Sequence, residues 1–299
     1  MNILCPGQGA QAVGMGRAWC DASPAARATF DEADDILGES LSGTCFNGPA
    51  ETLNRTDIAQ PALYVCAIAC YRALAERDGE LHPACAAGLS LGEYTALHLA
   101  GVFDFGDGLR LVAKRGRLMQ EAAEQSSGSM VALIGADSEQ AKQVCEAAAN
   151  GEILVCANFN APGQIVLSGH RQACDRAVAA ANQLGLRATP LTVAGAFHSP
   201  LMQPAADGMA QALASVTLGP LQLPVWSNVT AQLHDQDNPE LLRQRLVEQI
   251  VQPVRWSDTC QALAAGDTMH CLEMAPGSVL RGLMRRIDRN VKVTSHDKP

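Results

Sequence analysis

The amino-acid sequence predicts an α/β protein in which a smaller unit is inserted into a larger one. Residues 84–100 read as a short apolar strand, a glycine-flanked serine and a helix. Residues 129–193 fit the order β-α-β-β-α-β, which is that of a ferredoxin-like unit, and apolar strands resume after it. We therefore expect a large unit of residues 1–125 and 196–299 and a small unit of residues 126–195.

In the first part of the chain, apolar periodicity and end signals define two strands and four helices. Ser23 is a predicted N-cap with Pro24 at the first helical position, and Gly101 ends the helix that follows the serine. The predicted elements are strands at 2–5 and 84–87 and helices at 23–37, 57–75, 93–100 and 105–123.

The remaining elements follow from the same signals, with a turn predicted at residues 160–163. The inserted unit has strands at 129–134, 153–158, 164–169 and 187–193, and helices at 138–149 and 171–184. The returning part has helices at 201–216, 239–251, 256–265 and 279–289, and strands at 224–229, 269–274 and 291–294, the first of which runs into a turn.

Composition excludes several classes of protein. The 299 residues are 47% hydrophobic and 18% charged with a net charge of −9, which indicates a folded protein and argues against a nucleic-acid binder. We expect no signal peptide and no apolar run near the roughly 20 residues of a membrane span. None of the eleven cysteines forms a C-x-x-C pair, so we expect free, mostly buried thiols, a cytoplasmic protein and no metal.

The glycine-flanked serine reads Gly88-Leu89-Ser90-Leu91-Gly92, the pattern G-x-S-x-G. Between a strand and a helix this pattern is typical of a nucleophile elbow, a sharp turn that exposes the serine hydroxyl. The glycines are needed where side chains would collide. Backbone N–H groups at the start of the helix can stabilise the negative oxygen of a tetrahedral intermediate.

One cation in the helix at 105–123 is out of place. Arg110, Lys114 and Arg117 share one face, which we expect to be solvated, whereas Arg115 falls on the apolar stripe with Met119. A cation on that stripe must be paired or must face a cavity. Spacing alone leaves two interpretations open: a buried salt bridge, or a group that holds a substrate anion.

A serine nucleophile needs a base, and His198 is the best candidate among the seven histidines. It lies where the inserted unit rejoins the large one, and clefts between units often form sites. His98 is about 12 Å along its helix from Ser90, and His170, His234 and His270 are expected in surface-like settings. No acidic residue stands out as a third member, so a Ser-His dyad is expected.

Together these motifs resemble the malonyl-CoA:acyl carrier protein transacylase family over nearly the whole chain, from Cys5 to about Asp288. The resemblance implies an α/β-hydrolase-like large unit with the ferredoxin-like insert. The motifs that carry it, in chain order, are Pro6-Gly7-Gln8-Gly9-Ala10-Gln11, Gly88 to Tyr94, Lys114-Arg115-Gly116 with Met119-Gln120, Asn158-Phe159-Asn160 with Pro162-Gly163-Gln164, Ala196-Phe197-His198, Gln249 to Trp256, and Pro276-Gly277 with Val279-Leu280.

The resemblance implies roles for individual residues. Ser90 would attack the malonyl thioester, and His198, oriented by the main-chain carbonyl of Gln249, would take its proton and then protonate the leaving thiolate. Phe197 before His198 matches the sequence associated with malonyl rather than methylmalonyl choice in related acyltransferases.

Three further residues would bind the substrate's charges. The backbone N–H groups of Gln8 and Leu91 would form the oxyanion hole, and Arg115 would clamp the malonyl carboxylate. One departure is Leu89, because the family usually has histidine before the serine.

The resemblance also implies substrates, partners and alternatives. We expect a monomer that uses malonyl-CoA and phosphopantetheinylated acyl carrier protein, needs no cofactor, binds neither nucleic acid nor membrane, and serves fatty acid synthesis. A trans-acting acyltransferase of polyketide synthesis, a malonate decarboxylase subunit, a serine esterase and a non-catalytic carrier-protein binder are the alternatives. The esterase is disfavoured because Arg115 has no purpose for a neutral ester. The binder is disfavoured because Ser90, His198 and Arg115 are all present.

Overall fold

Two four-stranded sheets organise the chain. The structure is a computed structural model that describes residues 1–266 and 268–299. Within these residues the strands are β1 (Asn2–Cys5), β2 (Cys85–Gly88), β3 (Gly128–Ile134), β4 (Leu154–Ala161), β5 (Gln164–His170), β6 (Arg187–Pro190), β7 (His270–Glu273) and β8 (Lys292–Ser295).

Helices cover both sheets, and a 3₁₀ turn at Pro200–Met202 precedes the tenth of them. They are α1 (Arg17–Ala22), α2 (Pro24–Leu37), α3 (Leu41–Asn47), α4 (Ala50–Leu53), α5 (Thr56–Asp78), α6 (Gly92–Leu99), α7 (Phe105–Gln125), α8 (Ser138–Ala149), α9 (Arg171–Gln183), α10 (Gln203–Ala214), α11 (Pro239–Val251), α12 (Trp256–Ala264) and α13 (Val279–Ile287).

The first sheet is parallel, with strand order β2-β1-β7-β8. β1 pairs with β2 in a register that sets Cys5 opposite Gly88. Because the carboxyl ends of parallel strands meet at one edge of a sheet, the loop after β1 and the turn after β2 lie side by side. The parallel sheet therefore brings the loop containing Gln8 next to Ser90.

The second sheet is antiparallel, with strand order β4-β5-β3-β6. This is the order of a ferredoxin-like unit, and α8 and α9 pack against it around a core that includes Leu133, Val144 and Leu167. The predicted α/β fold class with a ferredoxin-like insert is confirmed. The four strands fall inside the range 126–195, and the unit boundaries themselves stay a prediction.

Several predicted elements differ from the structure. Helices α1, α3 and α4 were not predicted, because four to seven residues are too few to show a helical period. Residues 224–229 form no strand and make only isolated bridges, Ala86 with Val225 and Trp226 with Leu233. Predicted helix 239–251 coincides with α11, and predicted strand 187–193 ends early, at Pro190.

Helix α5 corrects the expectation about apolar runs. Its 23 residues are long and apolar enough, by length and composition alone, to cross a membrane, with a mean hydropathy of 1.4. However, 78% of its most apolar window is buried inside the protein. The core helix of a globular protein passes the same test, and α5 packs against α2 and α7 in that position.

The cysteines are free thiols. Nine of the eleven are buried, and Cys85 and Cys156 are half-buried. This confirms the prediction of free, mostly buried cysteines, and it fits a chain in which they act as small apolar residues.

Candidate active site

Ser90 lies at the sharp turn between β2 and α6. Its φ of +52° is in the left-handed region, where strain is stored when surrounding contacts hold the residue in place. A Cβ at Gly88 would lie 1.8 Å from the Gly92 carbonyl carbon, and one at Gly92 would lie 2.2 Å from the Cys5 oxygen. Only glycine fits at both positions, as the G-x-S-x-G pattern predicts.

Ser90 and His198 are hydrogen-bonded. The Oγ of Ser90 lies 2.8 Å from Nε2 of His198, and the other ring nitrogen, Nδ1, lies 2.7 Å from the main-chain oxygen of Gln249. Gln249 is in the last turn of α11, and its carbonyl has no helical donor because the residue four positions on is Pro253. The carbonyl is thus free to accept from His198.

These contacts fix the protonation of His198. A carbonyl can only accept, so Nδ1 carries the proton and Nε2 is free to accept from the Ser90 hydroxyl. Burial, followed by the positive charge of Arg115, lowers the pKa of His198 from 6.5 to about 4, although the bond to Gln249 opposes the shift. The imidazole is therefore neutral near pH 7 and able to take up a proton.

Arg115 lies on the buried face of α7, as its spacing predicts, and is 1% exposed. Its guanidinium donates to Oε1 of Gln60 at 2.6 Å, to Oε1 of Gln249 at 2.9 Å and to Oγ of Ser90 at 3.1 Å. These partners are neutral, and no carboxylate in the described part of the chain forms an ion pair with Arg115. Burial lowers the pKa of Arg115, and the neighbouring Tyr94 and Glu93 side chains oppose the shift, so the site holds a buried positive charge beside Ser90.

A cleft of about 680 Å³ opens over these residues, between the two sheets. Its lining combines polar groups with an apolar wall, as small-molecule sites commonly do. Residues from the large unit include Gln8, Leu89, Ser90, Leu91, Arg115, Phe197 and His198, and residues from the inserted unit include Met130, Asn158, Asn160, Val166 and Leu191.

Gln8 and Leu91 both line the cleft. In the described part of the chain, neither backbone N–H donates to a protein acceptor, whereas the N–H of Ser90 is taken by the Oδ1 of Asn228 at 2.6 Å. A Cβ at Gly7 would lie 2.3 Å from the Leu89 oxygen, which shows how closely the first loop approaches the turn. The two N–H groups are therefore available to a ligand.

Sequence reasoning missed a buried polar network beneath the serine. Glu93 is fully buried and contacts Asn228, His234 and the side chain of Gln249. The surface-like setting expected for His234 is wrong, since it is 6% exposed and its Nε2 lies 2.7 Å from Oε1 of Glu93. The available signal in the sequence was Glu93 itself, a carboxylate in the first turn of a mostly buried helix, which indicates buried hydrogen-bond partners.

Fold and site together describe an acyltransferase, and comparison with known proteins agrees. Residues 3–295 match the family model of the acyl transferase domain. The malonyl CoA-acyl carrier protein transacylase of Escherichia coli K12 is 42% identical over 298 residues, covering 99% of this chain and 96% of that protein. The Bacillus subtilis protein of the same name is 39% identical, with 99% and 93% covered.

Solved structures give the same result. The malonyl-CoA:acyl carrier protein transacylase of Xanthomonas oryzae pv. oryzae superposes with a TM-score of 0.95 at 41% identity, covering 100% of this chain and 94% of that one. A malonyl-transacylase in complex with a type II polyketide acyl carrier protein gives 0.96 at 40% identity, with 100% and 96% covered. The chain belongs to the malonyl-CoA:acyl carrier protein transacylase family, which confirms the resemblance.

Proposed function

We propose that this protein transfers a malonyl group from malonyl-CoA to the phosphopantetheine thiol of acyl carrier protein. The transfer runs by a ping-pong mechanism through a malonyl-serine intermediate. The observation that carries the proposal is a histidine-bonded serine beside a buried arginine that has no acidic partner in the described chain. Such a pair suits an acyl donor that carries a free carboxylate.

In the first half-reaction, Oγ of Ser90 attacks the thioester carbonyl while its proton passes to Nε2 of His198. The N–H groups of Gln8 and Leu91 stabilise the resulting oxyanion. The intermediate collapses to a malonyl ester on Ser90, and CoA leaves as a thiol with the proton from His198. In the second half-reaction the carrier thiol gives its proton to His198 and attacks the malonyl ester. Ser90 then leaves as the hydroxyl, with the proton returned by His198.

Arg115 binds the terminal carboxylate of the malonyl group. Its fork of N–H donors matches two carboxylate oxygens, and burial strengthens the pair because water does not screen it. In the free protein, the same guanidinium donates to Ser90 Oγ and two glutamine oxygens. The malonyl carboxylate supplies the negative charge that these neutral groups lack.

Further features of the proposal follow from the family. The protein works as a cytoplasmic monomer without metal or cofactor and supplies fatty acid synthesis. A second assignment, malonyl transfer to a polyketide carrier, is favoured by the likeness to a transacylase bound to a type II polyketide carrier protein. We also propose residues 126–195 as the inserted unit and residues 1–125 with 196–299 as the large one.

Intact-mass spectrometry tests the function. We expect a malonyl adduct after mixing with malonyl-CoA, no comparable adduct with acetyl-CoA, and loss of the adduct when phosphopantetheinylated carrier protein is added. Hydrolysis of both thioesters without an adduct would support an esterase instead. An adduct that no carrier protein removes would contradict the transferase.

The lowered pKa of His198 predicts an unusual pH profile. His198 must be neutral to accept the serine proton, and a pKa of about 4 keeps it neutral at all pH values above that. The rate of Ser90 acylation should therefore stay flat from about pH 8 to 5 and fall about tenfold per pH unit below 4. Single-turnover acylation measures this, with circular dichroism checking the fold at each pH. An inflection near 6.5 would contradict it.

A further inference from the structure

Glu93 is a buried carboxylate that the proposed mechanism does not use. It lies three residues after Ser90 in the first turn of α6, with no exposed surface. Its Oε1 lies 2.7 Å from Nε2 of His234, and its Oε2 accepts from Nε2 of Gln249 at 2.7 Å and from the N–H of Asn228 at 3.1 Å. A buried charge with three partners costs free energy to desolvate, so its position calls for a reason.

The contact with Gln249 determines which way that amide faces. A carboxylate only accepts hydrogen bonds, so it draws the NH₂ group of Gln249 toward Glu93, where Nε2 also donates to the main-chain oxygen of Ser90 at 3.0 Å. The amide oxygen then faces Arg115 and accepts from it at 2.9 Å. The opposite orientation would set two donors against each other, the amide NH₂ and the guanidinium.

The contact with Asn228 holds the turn itself. With its N–H fixed by Glu93, Asn228 accepts from the N–H of Ser90 at 2.6 Å and donates to the oxygen of Gly88 at 2.7 Å. These bonds span the residue that has the left-handed φ. Through Asn228 and Gln249, the Glu93 carboxylate therefore holds the backbone of the serine turn both before and after Ser90.

We propose that Glu93 is a positioning residue that sets Ser90, Arg115 and His198 in register through Gln249 and Asn228. The inference rests on the proposed function, since it concerns the geometry of malonyl transfer. Glu93 touches none of the reacting atoms. It fixes the Gln249 amide that orients Arg115, the turn of α11 whose carbonyl orients His198, and the backbone of Ser90, and so it acts on two separate parts of the chain, α11 and the turn before α6.

The test compares two buried carboxylates in the full-length protein. Glu273 is also fully buried, and it accepts from the N–H groups of Leu280 and Arg281 and from the Ser295 hydroxyl, outside the cleft. The readout is the ratio of kcat/KM for malonyl-CoA to that for acetyl-CoA, which does not depend on the folded fraction. We expect Glu93→Ala to lower this ratio about tenfold or more, and Glu273→Ala to leave it unchanged.

Two more variants keep the inference testable if Glu93→Ala does not fold. Gln249→Ala removes the amide but keeps the main-chain carbonyl, so we expect a similar fall in the ratio. Glu93→Gln can still accept from Gln249 and Asn228 through its oxygen, so we expect a ratio within about threefold of wild type.

The outcomes separate the two proposals. Wild-type protein that transfers acetyl and malonyl groups equally well would overturn the proposed function before any variant is measured. Wild-type protein that prefers malonyl-CoA, together with an unchanged ratio in Glu93→Ala or Gln249→Ala, would overturn the role of Glu93 alone.

Discussion

Replacing Ser90 with alanine is expected to lower the rate of malonyl transfer by about 10⁴-fold or more, and to abolish the covalent adduct. In the proposed mechanism the hydroxyl forms the acyl-enzyme, and no neighbouring side chain in the described cleft offers another nucleophile in contact with His198. Loss of a serine nucleophile commonly costs several orders of magnitude, because the remaining groups have nothing to activate.

Steady-state transfer to carrier protein and intact mass measure this effect. Ser168→Ala is the matched control, since Ser168 is fully buried in β5 and its hydroxyl has no partner in the described chain. Its activity should stay within about twofold of wild type. A malonyl adduct that persists on Ser90→Ala would place the acyl group elsewhere and contradict the mechanism.

Replacing Arg115 with glutamine is expected to lower kcat/KM for malonyl-CoA by about 10²- to 10³-fold. Removing one partner of a buried ion pair costs about 2–5 kcal/mol, because the other charge is left without compensation. Acetyl-CoA has no carboxylate, so its kcat/KM should fall far less. The difference between the two substrates isolates the carboxylate contact from the bond between Arg115 and Ser90.

Arg117→Gln is the control for this change, because Arg117 is exposed on the same helix two residues away. It removes the same charge without entering the cleft, and we expect kcat/KM for both substrates to stay within about twofold. An equal loss for malonyl-CoA and acetyl-CoA in Arg115→Gln would show that Arg115 supports the serine and not the carboxylate.

Local signals in the sequence account for most of the fold. The period of α11, the Ser23 cap of α2 and the hairpin turn at Pro162-Gly163 each depend on residues close in the chain. The strand predicted at 224–229 forms only isolated bridges. Its apolar alternation is typical of a strand, but its hydrogen bonds are determined by residues far away in the sequence. Asn228 bonds to Ser90, Gly88 and Glu93, about 135 to 140 residues away in sequence, and the chain turns there, as predicted.

The site residues also divide into those that local sequence signals predict and those that depend on contacts between distant parts of the chain. The G-x-S-x-G pattern and the odd spacing of Arg115 are local, and both pointed to residues that line the cleft. The network around Glu93 was invisible because His234 looks like any loop histidine until the fold brings it beside α6. Likewise, the carbonyl of Gln249 becomes available only because Pro253 follows a helix end that faces His198.

The buried cysteines bear on the chemistry of a protein that handles thioesters. Exchange of an acyl group onto a thiol requires the thiolate, and burial raises the pKa of Cys45 and Cys70 to about 12 and that of Cys20, Cys174 and Cys271 to about 11. No cysteine is among the described residues that line the cleft. The pKa of the Cys156 thiol is lowered through its contact with Cys145, but this thiol too lies outside the cleft. In the proposed mechanism, the carrier's phosphopantetheine is therefore the thiol that reaches the ester.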